Sequence, residues 1–133
     1  MYKSANKHFL IIGGMGPQAS ILAHKMIIDR ASFLGAQNNH DYPRITHVSI
    51  NVADFISDSS HKEKAKRYII KCLKEIDHAT IDQAVIACNT AHILLDDLRN
   101  VCGFEILSLI DATKEHVAKN IHATKLGVLS TAS

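Results

Sequence analysis

The run Cys88-Asn89-Thr90-Ala91-His92 brings a thiol, an amide, a hydroxyl and an imidazole together directly behind a short apolar stretch, residues 84–88. A thiol where a strand hands over to a helix feels the positive end of the helix dipole. That field lowers its pKa from about 8.5 toward neutrality and makes it a base or nucleophile. The alternative is an inert thiol, because free cysteine is among the most buried residue types. Thr90 also has two competing uses. Its hydroxyl either caps the following helix or turns toward a substrate carboxylate beside the free backbone amides. His92 either supports the thiol or bonds a helix start to a neighbouring loop.

Two other stretches have the right composition for a site. In Gly13-Gly14-Met15-Gly16-Pro17, the glycines let backbone approach a ligand, and the helix that follows offers free N–H groups to an anion. Residues 51–60 form the other loop. Gly14-x-Gly16-x-x-Ala19 also fits the dinucleotide-binding fingerprint, so a nucleotide-binding module is the rival reading. Against it, Pro17 removes an amide from the region that would cradle a pyrophosphate, and Asn51 stands where an acidic residue would hold the ribose.

The elements that must position these groups follow from periodicity. Residues 8–13 (HFLIIG) read as a strand buried on both faces. From Pro17, at a favoured first helical position, Ala19, Leu22, Ala23, Met26, Ile27, Ala31 and Leu34 form an apolar helical stripe that should stop near Gly35. A polar loop at 37–41 leads to a β-branched strand at 44–51. Ser60-x-x-Glu63 has the form of a capping box. Behind it, Ala65, Ile69, Cys72, Leu73 and Ile76 share one face of a helix whose other face carries lysines. Then come a strand at 84–88, a helix at 91–100 closed by Gly103, a strand at 104–110, a helix at 112–122 and a fifth strand at 125–129. Strands alternating with helices predict an α/β fold, a three-layer parallel sheet with helices on both faces. Its ligands would bind at the carboxyl ends of the strands.

Composition narrows the function classes. The 133 residues suit one domain, and 47% hydrophobic against 21% charged residues is enough for a core. Fifteen Lys and Arg against thirteen Asp and Glu leave a net charge of only +2. There is no dense basic run, so nucleic acid is not an expected partner. No stretch reaches the roughly 20 apolar residues that span a bilayer, so no membrane partner is expected either. Cys72, Cys88 and Cys102 are an odd number without a C-x-x-C pair, which points to a reducing, cytoplasmic setting. Cys72 lies on an apolar helix stripe, and Cys102 beside Gly103 reads as a turn thiol. The nine histidines form no H-E-x-x-H or similar spacing, so no metal site is expected.

Taken together, residues 11–17 (IIGGMGP), Asp41-x-Pro43 and residues 87–92 (ACNTAH) resemble the aspartate/glutamate racemase superfamily, nearest its aspartate racemase and broad-specificity amino-acid racemase branch. The resemblance implies a PLP-independent isomerase without a cofactor, in which two cysteines face the α-carbon of an acidic amino acid from opposite sides. One thiolate removes the α-proton and the other thiol returns one. Cys88 matches the first catalytic cysteine. Asn89 and Thr90 match contacts to the substrate's α-carboxylate and amino group, Met15 and Gly16 the loop lining the pocket, and Asn51 the polar residue closing the second strand.

Two departures accompany the match. Residues 1–122 resemble the first of the family's two α/β lobes, whereas residues 123–133, with Thr131 in the substrate-binding loop, resemble only the opening strand and loop of the second. The Gly-Cys-Thr motif with the partner cysteine is absent from the 133 residues. The chain is therefore expected to be inactive alone, to expose an apolar face and to form a homo-oligomer; a dead half-racemase acting in protein interaction is a further alternative. In addition, residues 52–59 lack the Arg that clamps the side-chain carboxylate in aspartate-specific members.

Overall fold

In a computed structural model of the chain, which describes residues 6–53, 59–122 and 125–129, the apolar run after Lys7 forms the central strand β1, His8–Gly13. The other elements are α1 (Pro17–Phe33), β2 (Arg44–Ser49), α2 (Ser59–Lys74), β3 (Gln83–Ile86), α3 (Leu95–Arg99), β4 (Glu105–Leu107) and α4 (Leu109–Asn120). The four strands run parallel in the order β2-β1-β3-β4. Gly13 lies opposite Ser49 on one side of β1, and Ile12 opposite Ile86 on the other. Chain order thus reverses at β1, and the crevice between the carboxyl ends of β1 and β3 is the topological switch point.

Alternation along each strand sorts side chains to two faces. Leu10, Ile12, Ala84, Ile86 and Ile106 join Ile69 and Leu73 of α2 and Leu94 and Leu98 around α3 in the main core. The opposite face carries Ile11, covered by α1. The edge strand β4 is blunted by Arg99, whose Nε and Nη2 donate to the Ile106 carbonyl at 3.1 and 2.7 Å.

Several elements differ from the sequence reading. The helix expected over 91–100 is a 3-10 turn, Thr90–Leu94, followed by the single turn of α3. The fourth strand is only Glu105–Leu107, because Ser108 accepts from the Asp111 N–H at 3.0 Å and starts α4 there. Helix α2 begins at Ser59, which puts Ser60 inside its first turn. Residues 125–129 form no strand: they are exposed and pair with none of the four, so no hydrogen-bonded ladder holds them extended.

The face of α1 is also rotated from the expected stripe. Ser20 and Ala31 are its buried residues, whereas Leu22 and Met26 are 56% and 61% exposed. Ser20 tolerates burial because its hydroxyl donates to the Pro17 carbonyl at 2.9 Å. It packs where Gly13 has no side chain: a Cβ on Gly13 would meet Ser20 Cβ at 2.3 Å. Asp41-x-Pro43 precedes β2, at the amino end of the sheet. There Asp41 accepts from the N–H groups of Gln37 and Asn38 at 3.0 and 2.8 Å, bonds that hold its carboxyl below the usual range.

Candidate active site

The switch point is assembled by backbone bonds that continue past the strands. The Ala87 N–H donates to the Ile12 carbonyl at 2.9 Å, and the Ile50 N–H to the Gly13 carbonyl at 2.9 Å. Cys88 is the second residue after Ile86 and Gly14 the second after Ile12, so both lie in the loops that leave the carboxyl ends of these paired strands. Gly14 has φ +91°, and a Cβ there would lie 2.4 Å from the Ile50 amide nitrogen; both the conformation and the close approach demand glycine. Gly16, with φ +118°, turns the chain into α1, whose first residue is Pro17. The first two glycines thus serve strand and helix packing, and Gly16 the turn.

Cys88 is partly buried, Asn89 exposed and Thr90 partly buried. Cys88 and Asn89 border an apolar cleft of about 500 Å³ between α1 and α4, floored by Val85 and Leu107 and walled by Leu22, Met26 and Leu109. Met15 packs against the main core. Asn51 is exposed and borders a separate cleft of about 190 Å³ with His61, Lys64 and Tyr68. The carboxyl edge therefore gathers the loops after β1, β2 and β3, but Asn51 and Cys88 line different clefts. Thr131 and residues 54–58 of the loop after β2 lie outside the described residues. Among the described residues no group of three or more His, Cys, Asp or Glu could hold a metal ion, and no helix is long and apolar enough to cross a membrane.

The helix after Cys88 is a short 3-10 turn, and Thr90 opens it without a side-chain cap: Asn89 is the N-cap residue and makes no side-chain cap bond. The other thiols are remote by topology. Cys72 is near the end of α2 that leads back to the amino end of β3, and Cys102 lies in the turn that leads into the amino end of β4. Burial pushes the Cys102 thiol up.

His8 and His92 are buried histidines at opposite ends of the sheet. His8 bonds Thr80 and Thr46 at the amino end. His92 stands beside Cys88, its Nδ1 2.8 Å from the Cys88 carbonyl oxygen and its Nε2 accepting the Leu109 N–H at 3.0 Å. The sequence reading did not place the β4–α4 junction at this site. The cue was Ser108-x-x-Asp111, a helix-start pattern hidden inside an apolar run assigned to the strand.

A parallel sheet with helices on both faces, and with a thiol and a glycine loop at its switch point, defines the class: an α/β protein of the kind whose ligands ordinarily bind at the carboxyl edge. Within that class, residues 12–133 match the family model of the Asp/Glu/hydantoin racemases, and the chain belongs to that family. It is similar to the broad-specificity amino-acid racemase RacX of Bacillus subtilis, 24% identical over 108 residues, which cover 80% of this chain and 48% of that protein. Among solved structures it is similar to an aspartate racemase homologue from Pyrococcus horikoshii, with a TM-score of 0.70, 26% identity, and coverage of 87% of this chain and 50% of that one. A structure described as a putative Asp/Glu racemase from Yersinia pestis gives a TM-score of 0.64 and 25% identity, covering 85% of this chain and 49% of that one. The chain thus spans about half the length of these relatives.

Proposed function

We propose that this chain is the first lobe of a cofactor-independent amino-acid racemase of the aspartate/glutamate type, with Cys88 as one of two thiols that exchange the α-proton. The observation that carries the reading is the position of Cys88-Asn89-Thr90 at the switch point, beside the glycine loop, in a chain of the racemase family. Asn89 and Thr90 bind the α-carboxylate and amino group, and Met15 and Gly16 line the pocket; Asn51 borders the other cleft, and Thr131 lies outside the described residues. Racemisation needs a proton removed from one face of the α-carbon and returned to the other. One thiol serves one face. The second comes from a second lobe, residues 123–133 being its opening segment, because Cys72 and Cys102 lie toward the amino end of the sheet. Convergent hydrogen bonds in a site shielded from water would stabilise the carbanion-like transition state.

Chiral chromatography of each enantiomer of aspartate and glutamate tests this. The 133-residue chain alone leaves them unchanged, and a complementary lobe carrying Gly-Cys-Thr restores interconversion that Cys88→Ser abolishes. Interconversion by the chain alone, lost in Cys88→Ser, would show that one lobe suffices. Turnover indifferent to Cys88→Ser would remove the thiol from the mechanism.

A further inference from the structure

Helix α4 supplies one wall of the cleft beside Cys88, through Leu109 and Ala112, yet none of its residues is buried. A helix without a buried face must be held by its ends. Its N-terminus has orphan N–H groups to satisfy. Ser108 takes the N–H of Asp111, and His92 takes that of Leu109, the first residue of the helix. On its other side the same imidazole meets the Cys88 carbonyl at 2.8 Å, while the His92 backbone N–H donates to the Asn89 carbonyl at 3.1 Å. A carbonyl only accepts and a backbone N–H only donates, so the ring donates from Nδ1 and accepts at Nε2. His92 is 7% exposed, which leaves little room for water to replace either bond.

We infer that His92 is a positioning residue, a clasp that ties the Cys88 loop to the first turn of α4 and thereby sets the opening of the cleft at the thiol. Its bearing on catalysis rests on the proton-transfer role of Cys88 proposed above; the clasp itself does not. The imidazole works through backbone at both ends, so it fixes where the thiol and the opposite wall stand without contacting a substrate.

Three variants of the full chain separate the two bonds. His92→Asn keeps a donor near the Nδ1 position, His92→Gln keeps an acceptor near the Nε2 position, and His92→Phe removes both at similar volume. The readouts are amide hydrogen exchange at Leu109 and iodoacetamide alkylation of Cys88, with Cys72 as the internal reference. Expected is exchange at Leu109 about tenfold faster in His92→Asn, roughly what one net hydrogen bond confers, and restored toward wild type in His92→Gln. In His92→Asn, Cys88 should be alkylated several-fold faster relative to Cys72, as the wall of the cleft moves away. A loss of stability alone would speed both thiols together. Leu109 exchange and the Cys88-to-Cys72 ratio unchanged in His92→Asn would overturn the clasp, and if His92→Phe fails to fold, the Asn and Gln pair still decides. Neither readout needs turnover, so racemisation indifferent to Cys88→Ser would sink the functional reading while leaving the clasp standing.

Discussion

His47, on the face of β2 toward α1, shows how burial beside a second imidazole sets a pH dependence. Its ring packs against His24 at a centroid distance of 5.8 Å, and its Nε2 has no hydrogen-bond partner among the described residues. Burial first, and the neighbouring His24 second, hold this imidazole below its ordinary value of 6.5. The unfolded chain therefore binds a proton more readily than the folded one, so protons favour unfolding. His47's contribution is complete above about pH 6.5 and is lost as pH falls through the lowered folded value. Asp41, Asp82 and Asp111 are held below 3.8, so their contributions fade only in more acid solution. Urea midpoints should fall between neutrality and about pH 5, and His47→Phe should flatten that slope. The same slope in both proteins would exclude His47 as its source.

At the scale of elements, the turn from β1 into α1 is the most constrained joint. Any side chain at Gly14 meets the Ile50 backbone in a conformation that L-residues rarely adopt. Gly14→Ala should therefore cost about 3 kcal/mol or more, read as a fall in the denaturation midpoint. A loss below about 1 kcal/mol would mean that the loop relaxes away from β2 without penalty. The start of α4 offers a milder comparison. Ser108→Ala removes the acceptor for the Asp111 N–H and should cost about 1 kcal/mol, with helical circular dichroism falling modestly. An unchanged spectrum and midpoint would mean that water satisfies that N–H equally well.

At the scale of the molecule, the apolar cleft between α1 and α4 is the surface from which self-association is expected. Leu22, Met26, Leu107 and Leu109 are each more than a third exposed and lie together on it. A parallel sheet is ordinarily covered on both faces, and apolar surface gathered in one patch favours association. The chain should therefore form a dimer or larger assembly in light scattering at high protein concentration. Replacing Leu22 and Met26 by Glu should return it to monomer, since both side chains are exposed and the core is untouched. A wild-type chain that stays monomeric would reject the idea.

Local pattern was enough to read the order of strands and helices, their parallel arrangement and the motif at residues 87–92, because buried strands, glycine turns and the stripe of α2 each have a short-range cause. It did not reveal which face of α1 turns inward. Leu22 and Met26 are as apolar as Ile27 and Ile28, and only packing against β1, with Ser20 fitted over Gly13, chose between them. Residues 125–129 show the same dependence: an extended segment becomes a strand only when another strand pairs with it, and among the described residues none does. The His92 clasp joins residues 17 positions apart. Sequence offered His92 as a residue that could bond a neighbouring loop, but not which loop; the partner is Leu109 because β3 and β4 lie side by side and bring their two carboxyl-end loops together.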